Sequence, residues 1–74
     1  MTEYNTKARD GKRYLAFYRP RLHSVAHVLS NRSDYAIASS DDYDSLTDDA
    51  IGWCEMLDAG LIVIDEHDTV IYAD

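Results

Sequence analysis

Neither lysine nor arginine occurs beyond Arg32 in this 74-residue chain, and cysteine and proline occur once each. With Cys54 alone, no intramolecular disulfide can form, and zinc sites built from several thiolates are excluded. Small secreted domains usually depend on such staples, so their absence points to a reducing, intracellular setting. Three glycines leave no material for a Gly-rich loop that cradles phosphate. No apolar stretch approaches the roughly 20 residues that span a bilayer. The opening residues, Met1, Thr2, Glu3, Tyr4 and Asn5, form no apolar signal core. A cytoplasmic protein with no membrane partner is the expectation.

What is present is enough for one domain over residues 1–74. Hydrophobic residues make up 46% of the chain, and six Tyr, one Phe and one Trp supply bulk for a core, which argues against disorder. A chain of this size buries only about 60% of the surface its unfolded form exposes, so the core is small.

The charge is segregated. Residues 1–32 hold all seven bases (Lys7, Arg9, Lys12, Arg13, Arg19, Arg21 and Arg32) against Glu3 and Asp10, a balance of +5. Residues 33–74 hold twelve acids and no base, a balance of −12, and the whole stands at −7. Such separation says more about partners than the net value does.

Periodicity gives the elements. Asp10-Gly11 suits a two-residue hairpin turn between residues 2–9, read as an edge strand, and residues 12–19. In the second arm Leu15 and Phe17 alternate with Tyr14, Ala16 and Tyr18. Pro20 suits the first turn of a helix, and Leu22, Val25, Ala26 and Leu29 form its apolar stripe, ending near Asn31-Arg32. Residues 34–39, with Tyr35 and Ile37 in alternation, suit a short strand. A second helix is expected from Ser45 or Thr47, with Leu46, Ala50, Trp53, Cys54 and Leu57 facing the core and Gly60 as its left-handed stop. Residues 61–64 and 69–73, joined by a polar turn at 65–68, read as a second hairpin. The expected fold is α+β: a two-layer sandwich with a largely antiparallel sheet of about five short strands and two helices on one face, in the order ββαβαββ.

Catalytic and metal signals are weak. His23 and His27 stand at i, i+4, the spacing at which two imidazoles share a metal, but no third ligand is near. Asp42-Tyr43-Asp44 begins like a calcium loop, yet Leu46 and Thr47 stand where a ligand and a glycine are required. Cys54 falls on an apolar helix face and reads as a packed thiol. No cofactor, no metal and no enzymatic activity are expected.

The acidic segment is the candidate site: Asp41, Asp42, Asp44, Asp48, Asp49 and Glu55. Two readings of it stay open. Acids at a helix start and on its outer face stabilise the helix and keep it solvated. They also present spaced negative charge that can occupy a groove built for phosphates, with Asp48 and Glu55 about 10 Å apart along one stripe. In size, acidity, scarcity of cysteine and lack of catalytic motifs, the chain resembles small phage-encoded inhibitors of bacterial defence, the anti-CRISPR proteins and DNA mimics. The resemblance implies a partner that is a basic nucleic-acid-binding host protein or complex. The basic N-terminal third, with Tyr4, Tyr14, Phe17 and Tyr18 interleaved, sets the chain apart from a uniform polyanion. Self-pairing of its arginines with the acidic half is favoured over direct nucleic-acid binding. An oligomeric, antitoxin-like module, in which one copy's basic strand meets another's acidic surface, is the other reading; the state is monomer or small homo-oligomer.

Overall fold

The computed structural model describes residues 12–74. It is an α+β fold in which a four-stranded antiparallel sheet is built around β1 (Tyr14–Arg19). A short helix α1 (Val25–Ser30), a single turn α2 (Arg32–Tyr35), and strand β2 (Ala36–Ser40) follow. Then come the long helix α3 (Tyr43–Leu57), β3 (Gly60–Ile64) and β4 (Val70–Ala73). The strand order is β2-β1-β3-β4. Both edges of β1 are therefore taken, one by β2 and the other by β3. The expected first hairpin arm, residues 2–9, and its Asp10-Gly11 turn lie outside the described residues.

Alternation along β1 sorts the core into two halves. Leu15 and Phe17 stand opposite Ile64 and Ile62 and pack with Val28 of α1, all fully buried. Ala16 stands opposite Val63, and with Leu61 these residues meet Leu46, Ala50 and Cys54 of α3. Helix α3 thus lies on one face and the α1–α2 pair covers the other. The helices expected together on one face are divided between the two, because alternate residues of β1 and β3 each need cover. The division has a cause in β3, where Leu61, Ile62, Val63 and Ile64 are all buried and so need cover on both sides. Full burial of each such side chain contributes about 1.5–3 kcal/mol.

The first helix starts later than the proline suggests. Ser24 caps it, its hydroxyl accepting from the His27 N–H at 3.1 Å, while Pro20 accepts from His23 N–H in the preceding turn. The buried contact is accordingly made by Val28, with Val25 and Leu29 beside it, and Leu22 is 95% exposed. Ala26 is exposed too. Tyr35 and Ile37 do not share a strand face, because Tyr35 still belongs to α2 and packs on the opposite side of the sheet from Ile37.

Helix α3 is capped by Asp42, whose carboxylate accepts from the Asp44 and Ser45 N–H groups. Its left-handed stop is Asp58, at φ 54°, and not Gly60. Gly60 instead opens β3, where a Cβ would overlap the Asp74 carbonyl oxygen. Arg19 donates to that same oxygen from Nε at 2.9 Å and Nη2 at 2.6 Å. The β3–β4 hairpin forms as expected, its turn organised by Asp65, whose carboxylate accepts from His67 and Thr69 N–H.

Because consecutive β3 residues serve different core halves, Leu61→Ala and Ile62→Ala should each lower unfolding stability by about 2–5 kcal/mol in urea titration. A sheet packed on one face only would spare one of the two.

Candidate functional site

A narrow seam joins α3 to the sheet. Leu46, Ala50 and Cys54, spaced i, i+4, i+8, are its buried residues, and the half-buried Tyr43 packs edge-on against Tyr14 with ring centroids 5.7 Å apart. The Cys54 thiol donates to the Gly60 carbonyl at 3.3 Å. Burial, and secondarily the charge of Asp74, push its pKa above the ordinary thiol value, as suits a packed thiol.

The rest of the helix surface faces outward. All six candidate acids are exposed, but they fall into two groups. Asp41 and Asp42 are tied into the fold, Asp41 accepting from the Arg13 N–H at 2.9 Å and Asp42 capping the helix. Asp44 sits in the first turn, where its charge suits the helix dipole. Asp48, Asp49 and Glu55 have no hydrogen bond or ion pair from their side chains among the described residues. These three, on the outward face of one helix, form the free part of the candidate site.

Sequence reasoning missed the apolar component. Trp53 and Leu57, expected in the core, are 54% and 49% exposed, and Met56 is 79% exposed. The seam runs from Leu46 through Ala50 towards Cys54, and at 100° per residue that drift leaves Trp53 on the opposite flank. Leu57 is the last residue of the helix and lines a shallow surface depression with Pro20, Leu22 and His23. An arc drawn only from apolar identity could not distinguish a seam three small-to-medium residues wide from one that takes in the tryptophan.

The described arginines are placed elsewhere. Every arginine among the described residues has a partner outside α3: Arg13 with Glu66 at 3.6 Å, Arg21 with Asp58 at 3.0 Å, Arg32 with Asp68 at 3.2 Å, and Arg19 with the Asp74 carbonyl. The three ion pairs are exposed and contribute at most about 1 kcal/mol each. Their consequence is electrostatic, since none of these cations offsets the carboxylates of α3. The described aromatics of the basic third make contacts of their own. Phe17 is fully buried, Tyr14 stacks on Tyr43, and Tyr18 meets Tyr35 at 5.2 Å between centroids. His23 and His27 lie ring against ring, 4.5 Å between centroids, with the Tyr35 hydroxyl 3.3 Å from Nε2 of His27. Among the described residues no three His, Cys, Asp or Glu side chains gather as metal ligands, and no helix is long and apolar enough to cross a membrane.

Comparison of the chain with protein-family models, with curated proteins and with solved structures finds no match.

The division of the acids gives a direct expectation. Asp42→Ala should cost about 1 kcal/mol by loss of the helix cap. Asp48→Ala and Glu55→Ala should stay within about 0.5 kcal/mol of the parent in the same chemical denaturation experiment.

Proposed function

We propose that this protein acts by binding, presenting the outer face of α3 to a basic site on another protein, in the manner of a small inhibitor. The observation that carries the reading is the unequal treatment of charge. The described arginines are engaged by carboxylates and a carbonyl outside α3, whereas Asp48, Asp49 and Glu55 are exposed and uncompensated among the described residues. Carboxylates fixed on a helix attract a basic groove over several ångströms of low-salt solution and speed encounter with it. A groove that normally receives nucleic-acid phosphates is a suitable target, because it already carries regularly spaced Lys and Arg. The host of such a target would be a bacterial nucleic-acid-handling protein, and its occupation would inhibit it, as phage-encoded inhibitors of bacterial defence do.

Direct nucleic-acid binding has less support. Phe17 is fully buried, and Tyr14 and Tyr18 are half-buried against the protein's own core, which limits the ring surface offered for base stacking. The net charge of −7 also opposes approach to a polyanion.

Affinity capture from bacterial lysate tests the proposal. The parent protein should retain nucleic-acid-binding proteins at low salt and release them as salt rises. The Asp48→Lys/Glu55→Lys variant should retain none while keeping its fold by circular dichroism. Retention unchanged by the double reversal would contradict the proposal.

A further inference from the structure

Gly52 lies in the middle of α3 on its outward side, where nothing among the described residues calls for glycine. A Cβ there would meet no atom within 4 Å, and the backbone is ordinary helix without positive φ. Glycine is the poorest helix former after proline, so this position weakens the helix with no packing reason among the described residues. On a helix surface the facing neighbours of a residue stand at i±3 and i±4, and those at i±1 flank it along a steeply inclined row. For Gly52 these are Ile51 and Trp53, Asp49 and Glu55, and Asp48 and Met56. All six are exposed, the three apolar ones at 41%, 54% and 79% for Ile51, Trp53 and Met56. The missing side chain is therefore a notch ringed by three carboxylates and three large apolar groups.

We infer that this notch is a docking point for an amphipathic basic helix of a partner protein, whose backbone crosses α3 over Gly52. The inference rests on the binding role proposed for the α3 face and specifies its partner. Two helices approach closely when a ridge on one enters a gap in the side-chain rows of the other. Here the row Asp48, Gly52, Met56 is broken at its centre, so an apolar side chain of the partner can enter between Trp53 and Met56. Exposed Trp and Met are suited to anchor such a contact, Trp by its area and Met by its adaptable shape. The carboxylates around the ring select Lys or Arg on the flanks of the incoming helix. They also exclude the two other occupants: nucleic acid would bring phosphates against carboxylates, and a second copy would bring six carboxylates into one small interface.

The chain has one tryptophan, so Trp53 emission reports the site directly. The probe is a synthetic helical Lys/Leu peptide of about 18 residues with Leu at i, i+3, i+4, i+7, compared with a control of equal charge in which Ala replaces Leu. Binding of the Lys/Leu peptide should shift Trp53 emission to the blue and exceed binding of the control by about tenfold. Gly52→Leu should fill the notch, keep or raise the melting temperature, and weaken Lys/Leu binding by about tenfold.

Equal affinity of parent and Gly52→Leu would overturn the inference. So would equal binding of the two peptides; if both were then lost in Asp48→Lys/Glu55→Lys, charge alone would drive association, and the binding role would stand without the notch. Binding of neither peptide would overturn the inference and count against the binding role as well. Concentration-dependent dimers in sedimentation that disappear in Gly52→Leu would assign the notch to a second copy and likewise overturn it.

Discussion

The fold depends on one constraint, the burial of β1 and β3 on both faces. Phe17, Leu15, Ile62 and Ile64 need cover on one side, and Ala16, Leu61 and Val63 on the other. The first side is covered by the short α1–α2 pair through Val28. The second is covered by α3 through a seam of Leu46, Ala50 and Cys54. Small residues on both sides of that contact, Ala16 and Ala50, let the helix sit close to the sheet. Close seating through so narrow a seam leaves most of the helix circumference outside the core.

What lies on that circumference follows from the distribution of charge. The four described arginines, Arg13, Arg19, Arg21 and Arg32, lie on or beside β1 and around the α1–α2 pair. There they meet Asp58, Glu66, Asp68 and the Asp74 carbonyl at one end of α3 and around the β3–β4 turn. None of these four pairs with a carboxylate on the outward face of α3. Segregation in sequence therefore becomes segregation in space, though only after much of it is neutralised locally. Asp48, Asp49 and Glu55, around Gly52 and beside Trp53 and Met56, are among the carboxylates left without a cation.

The elements with strong local signals were legible in the sequence. The β3–β4 hairpin follows from two apolar arms and a turn of acids, of which Asp65 organises the backbone. The long helix follows from its period, although Asp42, and no residue from 45 to 47, starts it. The exposed acids were legible as a group, but their division into fold-supporting Asp41 and Asp42 and free Asp48, Asp49 and Glu55 depends on tertiary partners. Pro20 misled because a serine four residues later offers the better cap. Trp53 misled because a large apolar residue beside a core stripe is ordinarily part of it, and only the packing of α3 against the sheet decides which flank is covered. Gly52 gave no signal of its own, since a helical glycine matters only once its surroundings are known.

The central claim is that the outer face of α3 is an open acidic surface with Trp53 in it. Quenching of Trp53 fluorescence by caesium and by iodide, each referred to free tryptophan amide, tests it most directly. The account predicts an accessible indole quenched more strongly by the cation than by the anion, with the preference fading as salt screens the carboxylates. An indole protected from both ions, or quenched more readily by iodide, would contradict it.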